Sequence, residues 1–183
     1  IEDGRLQVCC VDSVDDESFY AKGRPPSERI RRHDQYDRYV YGEVVPFARE
    51  KGQTLAKVAT LGASFGAYHA VNFGLRHPDV CDKVVGFSGK YDIHSFLDGY
   101  WDDTCYFHCP TACVPNMDAE WVRKLSGMEL CIVTGQTDNI LQGSEDLIRI
   151  FNEKGIPNRG DIWDAPYGHD WPWWKQQIRQ YLP

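Results

Sequence analysis

Short apolar runs rich in β-branched residues recur along the chain, and the segments between most of them carry apolar residues at helical spacing. Leu6 to Val11, Lys57 to Leu61, Asp82 to Gly89 and Leu130 to Thr134 each fit a strand that runs into a turn, Lys57 to Leu61 a buried one, and Arg159 to Trp163 fits a last short strand. Ile30, Tyr36, Tyr39, Val40, Val44 and Phe47 form a helical stripe. It predicts a long helix capped by Ser27, kinked at Pro46 and stopped after Lys51 by Gly52. Phe65 to Leu75 predicts a second helix, ended by His77-Pro78, with Ala67, Ala70 and Val71 toward the sheet. Further helices are expected over Ala119 to Leu125, from Ser144 through Leu147, Ile148 and Phe151, and from Pro172 onward. Between Tyr91 and Met117 the pattern breaks. A short helix from Ile93 to Leu97 and a long aromatic loop are expected there, with residues 91–117 acting as a cap or pocket wall. Strands alternating with helices predict an α/β fold, a mostly parallel sheet with flanking helices, as one domain over residues 1–183.

Composition narrows the classes. At 183 residues the chain is long enough to bury a core, and its net charge of −7 with no basic stripe argues against a nucleic-acid partner. No apolar run approaches the length of a membrane span, so no membrane partner is expected. Of seven cysteines, Cys9, Cys10, Cys81 and Cys131 lie in or beside apolar runs and are expected to be small buried hydrophobes. Cys105, Cys109 and Cys113 are spaced C-x3-C-x3-C around His108, without the distant second pair that a structural zinc site uses. Free thiols in a cytoplasmic protein are therefore expected ahead of a loop disulfide, with no metal and no cofactor.

The candidate chemistry sits in Gly62-Ala63-Ser64-Phe65-Gly66, a Gly-x-Ser-x-Gly pattern with a strand before it and a helix after it. Such a turn thrusts the serine hydroxyl out at the end of the sheet, and a Cβ at either glycine is expected to clash. The Phe65 N–H, at the start of the helix, is placed to donate to a developing oxyanion. A serine hydroxyl needs a base, and the base needs an acid to fix its tautomer. Among six histidines, His169 stands out because Gly168-His169-Asp170 follows the last strand. His33, His69 and His77 read as helix or packing residues, and His94 and His108 as weaker alternates in the loop region. Asp138 lies just past the apolar strand that ends at Thr134, at the edge where functional groups collect in open α/β sheets. Asp164 and Asp146 are the runners-up. The order Ser64, Asp138, His169 is that of α/β-hydrolases.

On these residues the chain resembles an α/β-hydrolase of the putative-esterase family, which includes esterase D-like carboxylesterases and mycolyltransferase-like proteins. The residues carrying the resemblance are Gly62 to Gly66, Gly135-Gln136-Thr137-Asp138 and Gly168-His169-Asp170-Trp171-Pro172, together with the run Leu6 to Val11 and Asp12-Ser13. The resemblance implies hydrolysis of a small-molecule ester through an acyl-enzyme, with Ser64 attacking, His169 as base, Asp138 orienting it and Phe65 donating to the oxyanion. It equally admits acyl transfer to an alcohol, or a weakly active fragment. Family members begin with further strands, one ending in a Gly-rich loop that supplies a second oxyanion donor. The expectation is thus an N-terminally truncated α/β-hydrolase fold. Its elbow strand would need Leu6 to Val11, or a second copy in a homodimer, to cover one edge.

Overall fold

The structure, a computed structural model, describes residues 6–182. The chain folds into two compact units: Ile1–Lys57 with His94–Thr104, and Val58–Ile93 with Cys105–Pro183. Among the described residues no helix is long and apolar enough to cross a membrane.

The first unit is built on helix α1 (Pro26–Tyr39), a π-helical turn over Val40–Val44 and helix α2 (Val45–Gly52). Proline has no N–H to give a helix, and Pro46 in the first turn of α2 accounts for the widened turn just before it. Pro25, not Ser27, is the N-cap, and no side chain caps this end. The stop is Gln53, which takes a left-handed conformation at φ 48°, rather than Gly52. Arg29 is buried at 3% exposure. It donates to the carbonyls of Lys22, Arg24 and Phe96 and pairs with Asp98 at 2.8 Å. One guanidinium thereby fixes two loops, and Phe19 packs against His33 and Phe96 beside it. The expected strand over Leu6 to Val11 is not formed. That run has no regular structure, Val8 is 54% exposed, and Cys9 and Cys10 are exposed rather than buried. An apolar run becomes a strand only where a partner takes up its backbone groups, and no ladder includes these residues.

The second unit is a four-stranded parallel sheet in the order β1-β2-β3-β4, with β1 Val58–Ala63, β2 Cys81–Phe87, β3 Glu129–Gly135 and β4 Arg159–Trp163. Leu61 pairs with Val85 and Val85 with Cys131, so β2 and β3 are central and buried along nearly their whole length. Successive residues of a strand point to opposite faces. Val84, Leu130 and Ile132 accordingly face helices α3 (Phe65–Arg76) and α7 (Leu141–Lys154). Val85, Phe87, Cys131 and Val133 face Trp174 and Tyr181 of helix α8 (Trp171–Tyr181). Ala67 and Val71 of α3 pack into the first layer. The parallel sheet with helices on both faces is the expected α/β-hydrolase type.

The segment 91–117 is not one long loop. It forms a 3-10 turn at His94–Phe96, helix α4 (Asp103–Phe107), helix α5 (Pro110–Cys113) and a 3-10 turn at Val114–Asn116. Cys105, Cys109 and Cys113 are buried and unbridged. The residues around them are tied to α3: Tyr68 Oη donates to the His108 carbonyl at 2.9 Å, and Arg76 Nη1 donates to that of Phe107. Asp118 caps helix α6 (Ala119–Ser126) by accepting from the Trp121 N–H. Helix α7 begins at Leu141, one turn earlier than Ser144, which is fully buried within it.

Candidate active site

The carboxyl ends of β1, β3 and β4 each present one of the three residues singled out in the sequence. Ser64 follows β1 at φ 55° and ψ −122°, a backbone region that costs a non-glycine residue about 1–3 kcal/mol. Its N–H donates to the Phe87 carbonyl at the end of β2, which holds the turn to the sheet. Gly62 is required by close approach: a Cβ there would lie 2.0 Å from the Gly66 carbonyl oxygen. Gly66 differs from expectation. A Cβ on it would meet nothing within 4 Å, so its backbone, not its missing side chain, makes the tight contact.

Asp138 follows β3 and its side chain is fully buried. Its carboxylate accepts from the Ile140 N–H at 2.9 Å, the Thr134 hydroxyl at 3.3 Å and the His169 ring. His169 lies in the loop between β4 and α8, and that loop is fastened to the one after β3. Thr137 donates through its N–H and its hydroxyl to the Tyr167 carbonyl, at 3.0 and 2.7 Å, and Gln136 N–H donates to the Trp163 carbonyl. A Cβ on Gly135 would lie 2.1 Å from the Tyr167 carbonyl oxygen, so the strand end must be glycine for the loop to seat. Asp170 then caps α8 through the Trp171 N–H.

The result is a linear array. His169 Nε2 is 2.9 Å from Ser64 Oγ, and His169 Nδ1 is 3.1 Å from Asp138 Oδ1. Both separations are hydrogen-bonding distances. A carboxylate only accepts, so Nδ1 carries the proton and Nε2 offers its lone pair to the serine hydroxyl. The imidazole is 24% exposed, against a fully buried Asp138 side chain. The Phe65 N–H starts α3 directly after Ser64, where the helix dipole is positive.

The other candidates lie elsewhere. His33 packs on Phe19, His77 on Phe73, and His94 stacks on Trp101. His69 packs on Phe65, and buried His108 bonds Asn72 through Nδ1. Asp146 binds Gln142 and Arg149 along α7, and Asp164 is exposed. Three residues of the site's surroundings went unread in the sequence. Thr134 is four positions before Asp138, a spacing that a strand-end pair would allow. Ser88, in Gly86-Phe87-Ser88-Gly89, repeats the strand-then-small-residue turn of the elbow. Trp174 follows His169 by five positions, with no sequence signal beyond aromatic content. A cavity of about 410 Å³, lined by Asn72, Leu75, Arg76, Pro110, Cys113 and Trp121 among others, lies at the far end of α3. Asn72 is about 12 Å along the helix axis from Ser64. The cavity is thus apart from the three-residue array.

The family described as "Putative esterase" matches residues 1–183. Among solved structures, a ferulic acid esterase is 22% identical with a TM-score of 0.65, covering 81% of this chain and 58% of its own. The S-formylglutathione hydrolase FrmB of Staphylococcus aureus is 23% identical with a TM-score of 0.55, covering 81% of this chain and 63% of its own. At these identities the likeness is one of fold. A 1-acylglycerol-3-phosphate O-acyltransferase of Saccharomyces cerevisiae is 30% identical over 87 residues, 45% of this chain and 22% of that protein. The chain therefore spans less than two thirds of each of these relatives.

Proposed function

The chain belongs to the "Putative esterase" family, and from that premise we propose that it is a serine carboxylesterase acting on small to medium acyl esters. The observation that carries this reading is the array itself, Ser64 Oγ to His169 Nε2 at 2.9 Å and His169 Nδ1 to Asp138 Oδ1 at 3.1 Å. Ser64 Oγ attacks the ester carbonyl carbon as its proton passes to His169 Nε2, and the Phe65 N–H donates to the oxyanion. Collapse of the tetrahedral species breaks the C–O bond to the alcohol, which leaves with the proton from His169. Water, deprotonated by the same imidazole, then attacks the acyl carbon and returns Ser64 as the free hydroxyl. Asp138 keeps its charge throughout and holds the imidazolium that forms twice in the cycle.

A second reading replaces water with an acceptor alcohol. It is favoured by the 87-residue likeness to a protein named as an acyltransferase. The acyl-enzyme is common to both. The test is hydrolysis of p-nitrophenyl butyrate by the wild type, with Ser64→Ala as control and an added alcohol to partition the acyl group. Turnover lost in Ser64→Ala supports the nucleophile, and ester product from the added alcohol supports transfer. Equal turnover in wild type and Ser64→Ala would overturn both.

A further inference from the structure

Trp174, packed against His169, and Ser88, bonded to Trp174, are buried and have no part in the proposed reaction. Ser88, 1% exposed, follows β2 at φ 53°, and its N–H donates to the Val133 carbonyl. Its Oγ accepts a hydrogen bond from Trp174 Nε1 at 3.0 Å. The same indole, on α8 and 8% exposed, stands at 86° to the His169 imidazole with ring centroids 5.0 Å apart. We propose that Ser88 and Trp174 act as one positioning unit that holds the His169 imidazole in line with Ser64.

The inference rests on reading His169 as the base, and its warrant is geometric. The bonds from Nδ1 to Asp138 and from Nε2 to Ser64 hold the two ends of the ring and leave it free to turn about the line between them. A rigid wall beside the ring removes this freedom, and the indole is such a wall only while its own orientation is fixed. Ser88 fixes it from the end of β2. Glycine would adopt φ 53° without strain, so a serine here keeps a strained backbone in order to present Oγ. Likewise phenylalanine would fill the same apolar layer without a buried N–H in need of an acceptor. Each residue is the less comfortable choice for packing alone, and each is explained by the bond to the other.

The experiment uses Ser88→Gly, which keeps the backbone and removes Oγ, Trp174→Phe, which keeps a ring and removes the N–H, and the double variant. Each single change is expected to lower kcat by roughly 3- to 30-fold with KM little altered. The double variant should be no worse than either single, because all three remove the same bond. A loss of packing alone would lower Tm without this kcat-against-KM pattern. Wild-type kcat in both folded singles, or a double variant that loses the product of the two, overturns the proposal. NMR of the His169 ring at fixed pH separates this inference from the catalytic reading. The imidazole lies against the Trp174 indole, so its ring chemical shifts should move alike in both singles and no further in the double. If esters are not turned over at all, those spectra still decide: unchanged His169 ring shifts overturn the positioning unit.

Discussion

The two glycines that flank Ser64 in the sequence pattern should respond in opposite ways to alanine. At Gly62 the new Cβ would sit 2.0 Å from the Gly66 oxygen, 2.2 Å from its carbon and 2.8 Å from the Ala67 nitrogen. All three are backbone atoms, so no side chain can turn aside. Relief requires the start of α3 to move off β1 by an ångström or more. Two bonds close this turn, Ser64 N–H to the Phe87 carbonyl at 2.9 Å and Ala67 N–H to the Ser64 carbonyl at 3.1 Å. Such a movement strains or breaks both. Overpacking costs about 1–3 kcal/mol and each lost bond about 1 kcal/mol, giving a destabilisation of about 3–5 kcal/mol. For a chain of this length that corresponds to a Tm lower by roughly 6–20 °C. Misplacing Ser64 by an ångström should also slow labelling by a fluorophosphonate probe about 100-fold. At Gly66 the new Cβ meets nothing, and alanine is the better helix former by up to about 1 kcal/mol. Gly66→Ala should therefore melt no lower than wild type. Thermal melts and labelling rates of both variants decide the matter. A Gly62→Ala protein with wild-type Tm, or a Gly66→Ala protein that melts as low as Gly62→Ala, would refute the reasoning.

Asp138→Asn should lower kcat by about 10⁴ while the protein stays folded, because an amide in place of one carboxylate oxygen favours the wrong tautomer of His169; a variant within tenfold of wild type would remove Asp138 from the mechanism. Burial, reinforced by the neighbouring Cys109 thiol, pushes the Cys113 thiol up to about 12. At pH 8 only about one molecule in 10⁴ then carries the Cys113 thiolate. Iodoacetamide should thus mark exposed Cys9 and Cys10 in the folded protein and Cys113 only after unfolding, as read by peptide mass spectrometry; native-state modification of Cys113 would contradict its burial.

Strands β2 and β3 were legible because a parallel strand buried on both faces is apolar along most of its length, and β1 and β4, half-exposed at the edges, were read from the turns that follow them. Ser64, Asp138 and His169 stood out as candidates because each follows a strand, at the edge of the sheet that collects functional groups. Leu6 to Val11 misled because hydrophobicity does not say whether a pairing partner exists. Residues 91–117 misled because helices of four or five residues, such as α4 and α5, are too short to show a period. They are held by single bonds such as Tyr68 to the His108 carbonyl, which no local pattern records. Ser88 and Trp174 are 86 positions apart, and only the fold reveals that one caps the indole of the other.

What aligns the three candidate catalytic groups is mostly main chain. Gly62 lets α3 press on β1, and Gly135 lets the Tyr167 carbonyl press on β3. The bonds from Gln136 and Thr137 to the Trp163 and Tyr167 carbonyls then set the height of His169 over Asp138. None of these contacts depends on which aliphatic residues fill the layers above and below the sheet. A core can be exchanged for another of similar volume with modest loss, while a methyl group at either glycine moves backbone that holds the array. That asymmetry places a strict demand on two residues with no side chain, Gly62 and Gly135, whose part is to let backbone approach backbone.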